Sequence, residues 1–179
     1  MATSPKRVGW DSCTWIAYIQ RERIFATDGK TLVEDRGAMC RPVLDAAERG
    51  VLEIAVSAIS LVEVLSRNRG AGIDDQKVRD FFDNEYILIV NVDKQIGDRA
   101  RLLMLSGHSG LKPIDAVHLA TACVANVCEF HTFDQRLLTL DGKLDKLDGT
   151  RLAIKKPGVP AAPAPLLEGL ERQRDPPRD

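Results

Sequence analysis

Four acidic residues stand where the chain is expected to pass from a strand into a helix. Each follows or interrupts an apolar run: Asp11 in VGWDSCTWI, Glu63 in ISLVEVL, Asp115 in PIDAVHLATA and Asp134 in EFHTFDQRLL. In an open α/β sheet such turns gather at the carboxyl ends of the strands, where ligands bind. Carboxylates brought together there repel one another, and a cation that prefers oxygen ligands, such as Mg²⁺ or Mn²⁺, neutralises them. The pattern therefore predicts a metal-dependent enzyme.

Each acid also has an explanation that involves no ligand. Asp11 and Asp134 fit the N-cap position of a following helix, where a carboxylate accepts a backbone N–H. Asp115 would stand in the first helical turn after Pro113, where the helix dipole favours an anion. Glu63 could point to solvent from the exposed face of its helix, but it lies among apolar residues, and an unpaired buried carboxylate is costly. We therefore expect Glu63 to be partly buried, with a metal ion or a buried arginine as its partner.

Hydrophobic periodicity divides the chain into alternating strands and helices. Apolar, β-rich runs predict strands over residues 7–11, 52–57, 86–92, 128–132 and, at an edge, 152–155. Amphipathic runs predict helices over residues 12–20, 40–49, 59–67, 74–84, 93–106 and 113–126. Residues 21–39 are polar, with two glycines, and predict a loop or a frayed helix. This alternation predicts an α/β fold with a mainly parallel sheet and helices on both faces.

The composition limits the organisation and the partners. The 179 residues fit one domain, residues 1–156, and a Pro-rich, charged tail over residues 157–179. Lys and Arg number 25 against 26 Asp and Glu, so any surface that attracts nucleic acid must be local. No signal peptide and no membrane-spanning run is present, so we expect a cytoplasmic protein. The four cysteines lack CxxC spacing, which argues against a structural zinc site.

The order of the acidic strings resembles a known family. WDSCTWI, ISLVEVL, DAVHLATA and HTFDQRLL are similar to the successive motifs of the PIN domain, over residues 7–155. The pair DAVHLATA and TFDQRLL is the most specific part of the resemblance. It implies a Rossmann-like, three-layer α/β/α sandwich and a Mg²⁺- or Mn²⁺-dependent ribonuclease, similar to the toxin of VapBC-type toxin–antitoxin pairs. It also implies an RNA substrate, a cognate antitoxin and a homodimer.

The resemblance assigns roles to individual residues. The metal site of the family is formed by four carboxylates, which match Asp11, Glu63, Asp115 and Asp134. A family hydroxyl near that site matches Thr132, and Ser12 is a second candidate for this supporting role. We expect Asp11 and Asp115 to be direct ligands, with Glu63 and Asp134 acting through water or at a second metal position.

Other residues near the acids have weaker signals. Basic side chains that could hold phosphates of bound RNA are Arg67, Arg69, Lys112 and Arg136, although each also fits a solvated surface charge. His118 lies one helical turn beyond Asp115, and a hydrogen bond to a neighbour fits it better than a role as catalytic base. Repulsion among the acids predicts that Asp11→Asn abolishes cleavage and stabilises the metal-free protein.

Two other functions fit parts of the pattern. A receiver-type signalling domain also has an acidic Mg²⁺ pocket on a doubly wound sheet, and Lys112-Pro113 is similar to its Lys-Pro pair. A receiver, however, needs adjacent acids after the first strand, where this chain has Asp11 alone. A catalytically silent PIN-like module would bind RNA or protein without turnover, but all four acids are present.

Overall fold

The structure, a computed structural model, describes residues 5–68, 74–108 and 110–160, without the side chains of residues 65–68 and 77. The strands in these ranges are β1 (Lys6–Trp10), β2 (Arg23–Phe25), β3 (Leu32–Asp35), β4 (Leu52–Ser57), β5 (Ile87–Val90), β6 (Glu129–His131) and β7 (Ala153–Lys155). The helices are α1 (Ser12–Ile19), α2 (Arg36–Glu48), α3 (Ile59–Asn68), α4 (Asp75–Phe82), α5 (Lys94–Leu105), α6 (Pro113–Val124) and α7 (Gln135–Leu138).

Five of the strands form one parallel sheet in the order β5-β4-β1-β6-β7. Numbered among themselves along the chain, these strands have the order 3-2-1-4-5. Receiver-type domains have the flavodoxin-like order 2-1-3-4-5, so the receiver alternative is wrong. The strand order reverses between β1 and β6, and in open α/β sheets ligands bind beyond the carboxyl ends of the strands at that point.

Helices cover both faces of this sheet, and a hydrophobic cluster lies on each face. On one face Trp15 of α1 and Leu44 of α2 pack with apolar strand residues. On the other face Leu103 of α5 and Leu119 of α6 pack with Phe130 of β6. The predicted three-layer α/β/α sandwich with a parallel central sheet is therefore confirmed.

Residues 21–39 differ from the prediction of a loop or a frayed helix. β2 and β3 pair as an antiparallel hairpin, and α2 begins at Arg36 rather than at residue 40. The hairpin turn is fixed by Asp28, whose carboxylate accepts the N–H groups of Lys30 and Thr31, and by Gly29 with φ 66°. The strands span three and four residues, too few for a clear period of two. The pair Asp28-Gly29 is the sequence signal that indicates a hairpin turn in this segment.

The start of α2 brings residues 21–39 close to the acids. Gly37 lets α2 approach the end of α1, because a Cβ at Gly37 would lie 2.9 Å from the Cα of Arg21. The Arg36 guanidinium lies 5.0 Å from the ring centre of Phe133, which stands between Thr132 and Asp134 in the chain. Residues 21–39 therefore reach the carboxyl edge of the main sheet.

Most of the predicted C-terminal tail lies outside the described residues. Residues 161–179 belong to this part, so the domain boundary after residue 156 stays a prediction.

Within the described ranges, none of the helices has the length and apolar character needed to cross a bilayer.

Candidate active site

Asp11 follows β1 at the point where the strand order reverses, and it is 5% exposed. Its Oδ1 accepts the backbone N–H of Thr14 at 2.8 Å, so Asp11 is the N-cap of α1. Its Oδ2 accepts the hydroxyl of Thr132 at 2.5 Å, and the thiol of Cys13 lies 3.0 Å from both oxygens. The N-cap role of Asp11 is therefore confirmed. Its hydrogen bond with Thr132 also links the end of β1 to the end of β6.

Cys13 contributes a donor that sequence reasoning missed. Burial, reinforced by the Asp11 carboxylate, raises the pKa of the Cys13 thiol well above its usual value. The group therefore stays protonated and donates its S–H to Asp11. The sequence shows Cys13 only as one of four cysteines without paired spacing, and no pattern marks this contact.

Thr132 joins Asp11 to Asp134. Its side chain is fully buried, and while its hydroxyl donates to Asp11, the same oxygen accepts the backbone N–H of Asp134 at 3.0 Å. Asp134 in turn is the N-cap of α7, where it accepts the N–H of Arg136 at 2.8 Å. Thr132 thereby fixes the spacing between acids that follow two neighbouring strands.

Arg136 joins Asp134 to Asp115. Its guanidinium makes a two-pronged ion pair with Asp134, with Nε 3.1 Å from Oδ1 and Nη2 in contact with Oδ2. The hydrogen bond from Arg136 lowers the pKa of Asp134 below its ordinary value, against the effect of partial burial. The same Nη2 lies 3.7 Å from Oδ2 of Asp115.

Asp115 stands in the first turn of α6, as its position after Pro113 predicts. Its Oδ2 is buried and has no hydrogen-bond partner among the described residues. Burial raises the pKa of Asp115, and Asp134 adds to the rise while Lys112 and Arg136 oppose it. Asp115 therefore combines a buried oxygen that lacks a hydrogen bond with a raised pKa, and its charged form is held less favourably than that of a carboxylate in water.

Glu63 is partly buried, as expected, with a side chain that is 25% exposed. Its Oε2 accepts the hydroxyl of Ser12 at 2.5 Å and lies 2.7 Å from Nε2 of His118. The described contacts of Glu63 include a serine and a histidine, which stand 51 and 55 positions away in the chain. His118 is only 4% exposed, and its expected bond to a neighbour is the one to Glu63.

These contacts close a ring at the carboxyl edge of the sheet. We call it the acid ring, and its members in order are Asp11, Thr132, Asp134, Arg136, Asp115, His118, Glu63 and Ser12. Two of the links follow the chain: Ser12 is next to Asp11, and one turn of α6 separates Asp115 from His118. The remaining links are hydrogen bonds and ion pairs, so the four predicted acids are neighbours in space.

The predicted phosphate-binding residues are placed unevenly. Arg136 belongs to the acid ring, and Lys112 is exposed at the N-cap of α6, directly before the turn that carries Asp115. Arg67 lies in α3 but its side chain is not described, and Arg69 lies outside the described residues.

A surface cavity of about 630 Å³ lies at the C-terminal end of α1, away from Asp11, and none of the four acids lines it.

The donor chemistry of the acid ring fits a hard divalent cation. Carboxylate oxygens are the ligands that Mg²⁺ prefers, and the buried Oδ2 of Asp115, which has no hydrogen-bond partner among the described residues, is an oxygen that a cation would satisfy. Mg²⁺ is usually held by one or two carboxylates, water and substrate phosphates rather than by a protein cage. The described residues contain no group of three His, Cys, Asp or Glu side chains placed to hold a metal on their own.

Two solved structures have the same fold. One is a toxin–antitoxin complex from Klebsiella pneumoniae, with a TM-score of 0.50 and 21% identity, covering 71% of this chain and 86% of that chain. The other is the Sarcin-Ricin loop cleaving toxin VapC20 of Mycobacterium tuberculosis, with a TM-score of 0.51 and 14% identity, covering 72% of this chain and 90% of that chain. No curated protein matched the chain.

A family comparison covers most of the domain. The family model of the PIN domain matches residues 10–143, a range that contains all four acids and every other member of the acid ring. The chain therefore belongs to the PIN domain family.

Proposed function

We propose that this PIN domain is a Mg²⁺- or Mn²⁺-dependent endoribonuclease that acts as the toxin of a toxin–antitoxin pair. The observation that carries the proposal is the acid ring, because it gathers four carboxylates where the strand order reverses. Membership of the PIN domain family supports the nuclease activity. Two proteins of the same fold, a toxin–antitoxin complex and an RNA-cleaving toxin, support the toxin role.

Within this proposal Asp11 and Asp115 would hold the metal ion directly, and Glu63 and Asp134 would act through water. When bound, the ion would activate a water molecule and neutralise the charge that develops on the phosphate. The protein keeps the ligands in place: the Thr132 hydroxyl and the Cys13 thiol fix the Asp11 carboxylate.

Basic residues give the polyanion a local attraction that the net charge of −1 lacks. Lys112 is exposed close to Asp115, and within this proposal its ammonium group contacts a substrate phosphate. Arg136 is 43% exposed and can exchange its contact with Asp115 for a substrate phosphate once a metal ion compensates the acids.

The test is cleavage of end-labelled RNA by the purified protein. One substrate is unstructured and one carries a sarcin–ricin loop, and each is incubated with Mn²⁺, with Mg²⁺ and with EDTA. We expect discrete products with either metal, none with EDTA and none with Asp115→Asn. The control is Asp98→Asn, which removes an exposed carboxylate paired with Lys94 on α5 and should leave cleavage unchanged. Cleavage that persists in EDTA would contradict the metal mechanism.

An antitoxin partner is the second part of the proposal. A partner that inhibits the enzyme would bring a basic side chain to the unpartnered oxygen of Asp115. Production of the wild-type chain should arrest bacterial growth, production of Asp115→Asn should not, and the product of a neighbouring gene should restore growth. The homodimer stays a prediction, which light scattering of the purified protein checks.

A further inference from the structure

We propose that His118 is a positioning residue that holds the Glu63 carboxylate in the acid ring, so that the affinity of the ring for a divalent cation depends on His118. His118 would do this without touching the cation or the RNA. The inference rests on the proposed function, because it takes Glu63 to be part of a metal site.

The geometry around Glu63 supports this role. Nε2 of His118 lies 2.7 Å from Oε2 of Glu63, and an ionised carboxylate only accepts hydrogen bonds, so Nε2 carries the proton. The hydroxyl of Ser12 donates to the same oxygen at 2.5 Å, and Nε2 lies 3.3 Å from that hydroxyl. Two donors from different helices meet at one oxygen, which fixes the orientation of the carboxylate.

The rest of the histidine ring shows that packing alone does not explain the residue. His118 is buried in α6, where its neighbours in the sequence are Val117 and Leu119. Its Nδ1 has no hydrogen-bond partner among the described residues. A buried polar atom without a partner costs free energy that an aliphatic side chain at this position would avoid. The bond from Nε2 to Glu63 is the interaction that a leucine could not supply.

The position of His118 on α6 links it to a second acid. His118 follows Asp115 by three residues, and residues at this spacing lie on the same side of a helix. A single helix therefore presents Asp115 to the acid ring and holds Glu63 in it. Residues that orient metal ligands typically change metal affinity by about 10–100-fold when they are replaced.

The experiment measures Mn²⁺ binding without RNA, by electron paramagnetic resonance of free Mn²⁺, in a set of variants. His118→Leu removes the donor and should weaken Mn²⁺ binding about tenfold, whereas His118→Gln retains a donor at similar reach and should stay within about twofold of the wild type. The double variant His118→Leu with Glu63→Gln should bind no more weakly than Glu63→Gln alone. Equal affinity of His118→Leu and the wild type, or losses that multiply in the double variant, would overturn the inference.

Two further measurements separate positioning from general destabilisation. Thr121→Val removes another buried hydrogen bond of α6, from Thr121 to the Val117 carbonyl, and should lower Tm while Mn²⁺ affinity stays unchanged. Ser12→Ala releases Glu63 from the other side and should weaken Mn²⁺ binding even if His118→Leu does not fold.

Crystal structures without metal test the inference independently of Mn²⁺. Glu63 should keep its contact with Ser12 in His118→Gln and lose it in His118→Leu, and an unmoved Glu63 in His118→Leu would overturn the positioning role. A wild-type protein that binds no Mn²⁺ would instead reject the proposed function.

Discussion

Asp11 and Asp115 stand at the same edge of the sheet, but their carboxylates meet opposite surroundings. Asp11 accepts a backbone N–H, a hydroxyl and a thiol, whereas one buried oxygen of Asp115 has no hydrogen-bond partner among the described residues and lies 3.7 Å from the guanidinium of Arg136. A buried carboxylate that is fully hydrogen-bonded is stable on its own, and one that is not is stabilised by an added cation. The acid ring therefore has one side, at Asp11, where the carboxylate is hydrogen-bonded, and a second side, at Asp115, where we propose that a cation binds.

Replacement of Asp115 should have the largest effect on activity. Asp115→Asn removes a proposed direct ligand, and because a metal ion contributes several kcal/mol to catalysis, cleavage should fall by about a hundredfold or more. The metal-free variant should nevertheless be more stable than the wild type at neutral pH. Its Tm should rise by about 2–4 °C, as expected for about 1 kcal/mol in a domain of this size.

The pH dependence of that difference gives a check of its sign. The pKa of Asp115 is raised in the folded protein, so the cost of its charge is present above that pKa and disappears as the pH falls through it. Melting curves in EDTA should therefore show the advantage of Asp115→Asn at pH 7 and its loss on acidification. A variant less stable than the wild type at pH 7 would mean that Asp115 is compensated after all.

Replacement of Asp11 should show the opposite effect on stability. Asp11→Asn should also abolish cleavage, but its amide group would face the hydroxyl of Thr132 and the thiol of Cys13, which both donate. Loss of these charge-assisted bonds should lower the free energy of unfolding of the metal-free protein by about 1–2 kcal/mol. Urea unfolding in EDTA measures this. The contacts thus reverse the effect that repulsion among the acids predicts from the sequence, and a more stable variant would restore the repulsion argument.

Thr132 tests the completed side of the ring without a change of charge. Thr132→Val keeps the shape but leaves an oxygen of Asp11 and the N–H of Asp134 without their partner, which should cost about 1–3 kcal/mol of unfolding free energy. Thr132→Ser keeps the hydroxyl and should recover most of that loss. Equal unfolding curves for the valine and serine variants would show that the hydroxyl does not support Asp11.

Arg136 should give the smallest effect, on the side left to the cation. Arg136→Gln removes the guanidinium between Asp134 and Asp115, so Mn²⁺ should bind more tightly without RNA, by about fivefold at most for a half-exposed ion pair. Calorimetric titration with Mn²⁺ measures this change. Arg79→Gln, which breaks an exposed ion pair with Asp75 on α4, is the matched control and should leave the affinity unchanged. Unchanged or weaker binding in Arg136→Gln would show that Arg136 does not compete with the metal.

The pH range of the Arg136 effect on stability follows from Asp134. Because the pKa of Asp134 is lowered from its ordinary 3.8, the pair stabilises the fold above that value and loses its effect as the pH falls through the lowered pKa. The stability difference between the wild type and Arg136→Gln should therefore be present at pH 7 and vanish in strong acid.

The main sheet could be predicted from the sequence because its strands are apolar. Runs such as LEIAVS are buried along almost their whole length, and the predicted bounds of all five strands lie within two residues of the observed ones. The hairpin could not be predicted in the same way. Its strands are short and none of their residues is fully buried, and its place depends on ion pairs such as Arg36 with Glu22 and Lys156 with Glu34, the second of which joins residues 122 positions apart.

The acids were found through motifs, but their partners depend on distances that no local pattern contains. Three acids stand in positions that helix capping and the helix dipole also explain, so their proximity appears only in the folded chain. The bond between His118 and Glu63 joins residues 55 positions apart, and that between Thr132 and Asp11 joins residues 121 positions apart. The role of the ring as a metal site remains a proposal.

The four acids of the acid ring come from two stretches of the chain, one before α4 and one after it. Asp11 and Glu63 come before α4, with β1 and β4, whereas Asp115 and Asp134 come after it, with β6 and β7. A gene split between α3 and α4 would give two fragments with two acids each, and the main sheet would have to re-form through the pairing of β4 with β5 and of β1 with β6. Within the proposed function, RNA cleavage would require both fragments and would therefore report their association, as in a protein-complementation assay.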